Sequence, residues 1–154
     1  MEPPKLEFAF EIQIELSKRF RYGPCTDGLE RGHVHVLGGT IAGPRFNGRV
    51  VPGTGGDWPV IRPDNACVFD ARYLLEADDG TLIQLRNTGI RHGKPEVLER
   101  LQNYEPVDPD EYYMRITPYF DAPEGPHGWL SRTVFLGRAN RRANDSVFTY
   151  WAVV

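Results

Sequence analysis

The chain is poor in cysteine, has no basic run and has no long apolar stretch, and each shortage excludes a class of protein. Its two cysteines are Cys25 and Cys67, and without an export signal we expect both to be reduced thiols. No segment approaches the ~18 consecutive apolar residues of a membrane-spanning helix. The start, MEPPKLEFAF, lacks the basic and then apolar pattern of a signal peptide. A cytoplasmic protein is therefore expected.

Charge and composition narrow the class further. The formal net charge is −3 at pH 7, whereas a nucleic-acid-binding surface needs a basic patch or stripe. With 154 residues, of which 40% are hydrophobic and 25% charged, the chain is long enough to bury a core without disulfides. We expect residues 1–154 to form a single domain that binds neither nucleic acid nor a membrane.

The strongest pattern that is present is a strict alternation near the start. Between residues 6 and 16 every even position is apolar, namely Leu6, Phe8, Phe10, Ile12, Ile14 and Leu16. A period of two is typical of a strand with one dry and one wet face, so all six side chains are predicted to share the dry face. Such a strand is ~36 Å long, which suits a tilted barrel strand.

Six further segments carry strand patterns, separated by turns rich in glycine and proline: 32–37, 66–76, 82–87, 111–120, 133–137 and 147–153. The acidic and glycine-containing turn at residues 78–80 predicts a hairpin between the second and third of these segments. Only Pro95 to Asn103 has a helical pattern. The predicted fold is all-β, a single small antiparallel barrel with one short helix.

Two histidines raise the question of a metal site. His33 and His35 lie two residues apart, so on a strand both imidazoles point to one face, and His127 could be a distant third ligand. This resembles the metal site of cupin barrels, which also requires a downstream Glu where this chain has residues 38–40, Gly-Gly-Thr. We therefore expect no metal and no other cofactor, with a cupin-like metal enzyme as the less favoured alternative.

A glycine-rich segment precedes a carboxylate and a tryptophan. Residues 53–56, Gly-Thr-Gly-Gly, are not followed by the Gly-Lys-Ser/Thr of a phosphate-binding loop. The segment is instead predicted to be a flexible loop that presents Asp57 and Trp58. These two residues could form a base beside an aromatic wall, or a turn with Trp58 packed in the core.

Two other groups could carry chemistry. Asp70 and Arg72 share a strand face, and Arg86 lies on the returning strand. The three could anchor an oxyanion or form a structural ion network on an outer face. Tyr112 and Tyr113 point to opposite faces, so one of them points inward; Tyr113 is the candidate proton donor.

The motifs of the chain, taken in order, resemble the bacterial and fungal family called domain of unknown function 3237, an uncharacterised protein family. The resemblance runs from about Leu6 to Val153. It rests on GGT (38–40), GP (43–44), GRVVPG (48–53), DW (57–58), DARY (70–73), RNTGIR (86–91), YYMR (112–115), Pro118, Phe120 and WLSR (129–132). One departure is Ser131, where the family usually has Asn.

The resemblance implies a barrel like that of allene oxide cyclases and dirigent proteins. Those proteins steer reactive apolar intermediates by shape and a few polar groups, without metals or nucleotides, and they form oligomers. A fungal member of the family is associated with an intramolecular oxa-Michael ring closure. The resemblance thus implies a cofactor-independent cyclase, isomerase or lyase and a homo-oligomer.

Two functions remain open. In the first, an apolar, aromatic or polyketide-like molecule is held in the barrel, Asp57 or Asp70 moves a proton, and Arg72 or Arg86 stabilises the oxyanion. The residues expected to contact the substrate are Trp58, Tyr73, His35, Trp129 and Arg132. In the second, the barrel is a lipocalin-like carrier without chemistry.

Overall fold

Eight strand positions close into an antiparallel barrel in the computed structural model, which describes all 154 residues. In chain order the strands are β1 (Leu6–Leu16), β2 (Phe20–Tyr22), β3 (Glu30–Ala42), β4 (Gly48–Val50), β5 (Gly56–Asp57), β6 (Val60–Ile61), β7 (Cys67–Ala77), β8 (Leu82–Gly93), β9 (Tyr112–Asp121), β10 (Phe135–Arg141) and β11 (Asp145–Val153). Strands β7 to β11 follow one another around the barrel. β1 pairs with both β11 and β3, and β4, β5 and β6 share the position between β3 and β7. The predicted fold class is confirmed.

The helix α1 (Pro95–Gln102) covers the end of the barrel at which β7 and β9 begin. It starts at Pro95, whose ring presets a helical φ and whose missing N–H is not needed in the first turn. Its apolar face buries Val97, Leu98 and Leu101. A short 3₁₀ helix follows β9 at Gly128–Arg132. No helix of the chain is long and apolar enough to cross a membrane.

The inward side chains form two apolar clusters, one at each end of the barrel. The larger is built on aromatic rings: Phe10 meets Phe46 edge to face with ring centroids 5.1 Å apart, and Phe120 meets Phe135 at 5.2 Å. The smaller lies under α1 and contains Phe69 of β7 together with the buried residues of the helix. Polar inward side chains are concentrated between the two clusters, so the middle of the lumen is where chemistry is expected.

The first residues of strand β1 do not follow the predicted alternation. Phe10, Ile12 and Ile14 point inward as predicted, but Leu6 and Phe8 are about half exposed on the outer face. The register of β1 against β11 shifts between Phe8 and Phe10. This β-bulge inserts one extra residue and thereby moves the preceding side chains to the other face.

Most of the other segments agree with the predicted elements to within a few residues, but β8 runs to Gly93, six residues beyond its predicted end at Asn87. β7 and β8 form the predicted hairpin around residues 78–80, and α1 spans all but the last residue of its predicted range. β3 extends well beyond the predicted 32–37, and the short strands β2, β4, β5 and β6 were not predicted. Cys25 and Cys67 are both unpaired, as expected.

Candidate active site

A cavity of about 50 Å³ lies in the lumen between the two apolar clusters. Its apolar walls come from five of the long strands and include Ile14, Val34, Val36, Phe69, Ala71, Met114, Ile116 and Phe148. Its polar and charged lining is Arg19, Asp57, Tyr73, Asn87, Arg91, Arg141 and Ser146. An apolar cavity with a few convergent polar groups is the usual form of a small-molecule site.

Asp57 supplies the only carboxylate that lines the cavity. In the two-residue strand β5 it lies opposite Val34 on β3 and Ala71 on β7, and both of these face the lumen. Its Oδ1 accepts a hydrogen bond from the Asp70 N–H at 3.1 Å. Burial raises the pKa of Asp57 from 3.8 to about 6, although that hydrogen bond and the charge of Arg19 act to lower it. A carboxyl with this pKa can take up or release a proton near neutral pH.

Two glycines explain how β5 fits between β3 and β7. A Cβ on Gly55 would lie 1.8 Å from the carbonyl oxygen of Arg72, and one on Gly56 would lie 2.5 Å from that of Val34. Only glycine permits such a close backbone approach. The glycine-rich segment, predicted as a flexible loop, is therefore a tightly packed one that positions Asp57.

Three guanidinium groups line the same cavity, those of Arg19, Arg91 and Arg141, and the charge of Arg19 acts on Asp57. Arg91, on β8, is only 2% exposed, and its guanidinium lies 5.6 Å from the centre of the Phe69 ring. Burial, together with the like charges of Arg141 and Arg19, lowers the pKa of Arg91 to about 10. Burial and then the charge of Arg19 also lower the pKa of Arg141. Both side chains remain cationic at neutral pH.

Several polar atoms around the cavity have no hydrogen-bond partner in the protein. They are Arg19 Nε, Tyr73 Oη, Asn87 Oδ1, Arg91 Nε and Arg91 Nη1. Buried polar groups are normally paired, because leaving one unpaired costs about 1–3 kcal/mol. Their concentration around one cavity indicates a site built to bind polar atoms of a ligand.

Tyr73 and Asn87 form the neutral polar part of the site. Asn87 Nδ2 donates to the hydroxyl of buried Tyr150 at 3.1 Å, and its Oδ1 has no hydrogen-bond partner in the protein. Burial, and then the charge of Asp57, raise the pKa of the Tyr73 phenol well above its ordinary value. Tyr73 therefore stays protonated and can donate a hydrogen bond.

Tyr104 lies at the mouth of the cavity, just after α1. Its φ of 60° is in the left-handed region, its hydroxyl accepts from the Arg19 N–H at 3.2 Å, and its ring lies 4.9 Å from the Arg141 guanidinium. Burial acts to raise the pKa of Tyr104, but the Arg19 hydrogen bond and the Arg141 charge outweigh it and lower that pKa. Outside the mouth is an open groove of about 610 Å³ that shares Leu16 with the cavity.

The ionic group predicted on β7 and β8 lies outside the barrel. Arg86 makes a two-pronged contact with Asp70, with N–O distances of 3.1 Å, and Arg72 is 4.0 Å from the same carboxylate with a side chain 61% exposed. Arg86 lowers the pKa of Asp70. Of the two alternatives, the geometry is that of an ion network on the outer face, because even-numbered residues of β7 point outward while Tyr73 points inward.

The placement of Tyr112 and Tyr113 is the reverse of the prediction. Tyr113 is 43% exposed on the outer face, where it stacks on His92. Tyr112 points inward, and its hydroxyl accepts from the Arg141 N–H at 3.0 Å. The hydroxyl thus helps to hold the strand that carries Arg141.

The other predicted contact residues are scattered. Trp58 is exposed and stacks on His33 with ring centroids 4.1 Å apart, and His35 is on the outer face of β3. Trp129 packs at the far end of the barrel, 4.1 Å below the Arg45 guanidinium. Arg132 is exposed. None of these lines the cavity, whereas Tyr73 does.

Two of the three histidines of the metal hypothesis, His33 and His127, have different partners. His33 lies against Trp58, whereas His127 Nε2 is 2.9 Å from Asp79. The hydroxyl of Ser131, the departure from the resemblance noted in the sequence, accepts from the Ala122 backbone N–H at 2.8 Å. Its observed role is to pin the 3₁₀ helix against the end of β9.

Sequence reasoning missed Arg19, Asn87, Arg91, Tyr104 and Arg141. For Asn87 and Arg91 the sequence did carry a signal. Positions 83, 85, 87, 89 and 91 share one face of β8, so extending the apolar alternation of this strand through the RNTGIR motif places both residues inward. Arg19 and Tyr104 lie on connections, where no periodicity applies.

Comparison with known proteins places this barrel among relatives. A family model described as "Protein of unknown function (DUF3237)" matches residues 4–153. A UPF0311 protein of Rhodopseudomonas palustris is 35% identical over 146 residues, 94% of each chain. A UPF0311 protein of Clostridium acetobutylicum is 32% identical over 147 residues, 96% of this chain and 92% of that one.

Solved structures agree with these matches. The crystal structure of a conserved protein of unknown function from Rhodopseudomonas palustris superposes with a TM-score of 0.92 at 31% identity, covering 100% of this chain and 99% of that one. An enzyme from Penicillium herquei has the same fold, with a TM-score of 0.73 at 22% identity over 100% and 97% of the two chains.

A hydroalkoxylation enzyme from Penicillium herquei is also similar in sequence, 33% identical over 81 residues that make up 53% of this chain and 52% of that one. A distant relative of this chain is therefore an enzyme. The extent of the family match and the full-length similarity to the UPF0311 proteins together show that this chain belongs to the DUF3237 family.

Proposed function

We propose that this chain is a cofactor-independent acid–base enzyme, a cyclase, isomerase or lyase, that acts on a conjugated, largely apolar small molecule in the barrel lumen. The observation that carries the proposal is Asp57, a partly buried carboxyl that lines the cavity from β5, whose pKa is raised by burial to about 6 and which shares the cavity with three guanidinium groups. A proton-transfer group with a pKa near the working pH, opposite fixed positive charge, suits reactions that pass through an oxyanion.

The reaction that these groups would perform needs no co-reactant. Asp57 accepts the proton of a substrate hydroxyl as the hydroxyl oxygen bonds to one carbon of a C=C bond conjugated with a carbonyl. The π electrons move to the carbonyl oxygen, and the enolate that results is stabilised by Arg91 and Arg141. Asp57 then returns its proton to the neighbouring carbon. One O–H and one π bond are exchanged for one C–O and one C–H bond.

The relative from Penicillium herquei supports this class of reaction, because hydroalkoxylation is the addition of the O–H bond of an alcohol across a carbon–carbon double bond. Only the type of bond change is taken from this relative, and the substrate class is inferred from the lumen of this protein.

A pair of carboxylate variants tests the proposal. A panel of hydroxylated enones, with 2′-hydroxychalcone as the first member, is screened for loss of enone absorbance with purified protein. Asp57→Asn is expected to lower the rate ~10²–10⁴-fold, as loss of a general base does. Asp70→Asn, which changes the carboxylate on the outer face, is expected to leave it within about twofold.

Two results would contradict the proposal. One is that Asp57→Asn converts a panel compound as fast as the wild-type protein does. The other is a panel compound that binds the lumen tightly and is never converted, which would favour the lipocalin-like carrier. The pH profile gives a further check, because kcat/KM should rise as Asp57 ionises around pH 6.

A further inference from the structure

The charges around the cavity do not balance. Arg19, Arg91 and Arg141 carry three positive charges, and Asp57 offers at most one negative charge. This excess is local, since the whole chain has 18 basic and 21 acidic residues. Arg91 is buried and the other two arginines are partly buried, and a buried charge is normally paired, because an uncompensated one is strongly destabilising. A neutral substrate would supply a counter-charge only during the reaction.

Arg91 is the group that most requires a partner. It is 2% exposed, and two of its nitrogen atoms, Nε and Nη1, have no hydrogen-bond acceptor in the protein. Its neighbour Arg19 likewise has an unpaired Nε. The planar guanidinium fork matches an oxyanion with two or more acceptor positions, which a carboxylate or an enolate provides.

We propose that the lumen recognises a ligand that already carries a delocalised oxyanion, a carboxylate, enolate or phenolate, on a conjugated apolar body, and that Arg19, Arg91 and Arg141 bind that oxyanion. This inference rests on the proposed function in taking the lumen as the substrate site. It goes further by assigning a permanent negative charge to the substrate.

The sizes of the two spaces indicate how such a ligand is arranged. The enclosed cavity of about 50 Å³ is far smaller than the roughly 300–1,000 Å³ of ordinary ligand pockets, whereas the groove outside has about 610 Å³. The oxyanion therefore lies in the cavity, and the body of the ligand lies in the groove against Leu16, Leu37 and Tyr104. Tyr104 and Arg141, which flank the narrow gap between the two spaces, contact the ligand at its middle.

Thermal shift and titration calorimetry with benzoate test the charge, with benzamide as the neutral control of the same shape, both at fixed ionic strength. We expect benzoate to bind and to raise the Tm, and benzamide to do neither. Arg91→Met is expected to weaken benzoate binding about ten- to a hundredfold. Arg138→Met is the matched control, because Arg138 lies on the outer face of β10 and pairs with Asp110.

A second probe separates phenolates from carboxylates. When 4-nitrophenol binds beside the guanidinium groups, its visible spectrum is expected to shift toward the phenolate form at constant pH. Arg91→Met should abolish the shift. If circular dichroism shows that Arg91→Met is unfolded, Arg141→Met replaces it, since Arg141 lines the same cavity from another strand.

Three results would overturn the inference: equal binding of benzamide and benzoate, equal stabilisation by phosphate or chloride at the same concentration, or unchanged benzoate binding in both arginine variants. The readouts also separate this inference from the proposed function. Benzoate binding that survives in Asp57→Asn, with no enone converted by the wild-type protein, upholds the inference and contradicts the enzyme. If the wild-type protein converts neutral enones but does not bind benzoate, the result supports the enzyme and contradicts the inference of an anionic ligand.

Discussion

At the scale of single residues, the unusual feature is a carboxyl placed where its ionised form is poorly solvated. Asp57 keeps one hydrogen bond from the Asp70 N–H, at 3.1 Å, and burial still raises its pKa to about 6. The outer-face Asp70 behaves oppositely, since the hydrogen bonds from Arg86 lower its pKa. Two carboxylates 13 residues apart in the sequence are thus set to different tasks, because Asp57 of β5 lines the lumen and Asp70 of β7 lies on the outer face of the barrel.

The raised pKa of Asp57 predicts a specific dependence of stability on pH. Because the folded protein holds this proton more tightly than the unfolded chain does, its contribution to stability is fully present below about pH 4 and is lost as the pH rises through about 6. The loss amounts to roughly 3 kcal/mol. Asp57→Asn keeps an oxygen to accept the Asp70 N–H, so it should be more stable than the parent at pH 8 and equal to it near pH 4.

Urea unfolding at several pH values measures this difference. Asp70→Asn is the control with the opposite sign, because a lowered pKa contributes stability above its unfolded value. A stability difference between the parent and Asp57→Asn that does not change between pH 4 and pH 8 would show that Asp57 is not desolvated.

At the scale of elements, β5 is short but decides where the site lies. It pairs with β3 on one side and β7 on the other, and a Cβ on Gly55 would come within 1.8 Å of the Arg72 carbonyl oxygen. Gly55→Ala must therefore push β5 away from β7. We expect it to lower the free energy of unfolding by about 1–3 kcal/mol and to slow the proposed reaction by displacing Asp57.

The control for this prediction is Gly128→Ala. Gly128 is also buried, but an added Cβ there would be 3.6 Å from its nearest neighbour, the Pro123 carbonyl oxygen, which is an ordinary contact. Its free energy of unfolding should stay within about 0.5 kcal/mol of the parent. Equal effects of the two alanines in urea titrations would contradict the proposed role of the close approach.

At the scale of the whole molecule, the closed barrel leaves apolar side chains on its outer surface. Phe8, Trp151 and Leu136 lie side by side on neighbouring strands β1, β11 and β10, and Phe8 and Leu136 are 50% and 41% exposed. Contiguous apolar patches of this kind are uncommon on monomers. We propose that this stripe is covered by a second copy of the chain, as the resemblance to oligomeric barrels implies.

Light scattering over a range of concentrations tests the oligomer. The wild-type protein should be larger than the 17.5 kDa of one chain, and Leu136→Lys should dissociate it, because a charge in an apolar interface is costly. Leu82→Lys, at an exposed leucine near the β7–β8 turn, should have no effect. A stable species of 17.5 kDa at every concentration would contradict the proposal.

What the sequence could determine by itself was local. The period of two in β7 placed Phe69, Ala71 and Tyr73 together on one face and Asp70 on the other, and turn chemistry located the hairpin, because both depend on neighbours within a few residues. The helix was similarly predictable from Pro95 and its apolar positions. The motifs also sufficed for the family, which the comparisons confirmed.

Only the tertiary structure decided which face is inside and which distant residues meet there. An alternation with a period of two does not say which face of a strand is inside, so the inward position was predicted for Tyr113 although Tyr112 occupies it. In β1 the bulge near Phe8 moves the residues before it to the outer face, while the alternation in the sequence continues unchanged. The arginine cluster comes from β8, β10 and the connection after β1, segments far apart in the chain. Closure of the barrel brings them together, because β1 pairs with β3 and so turns one face of every strand toward a common lumen.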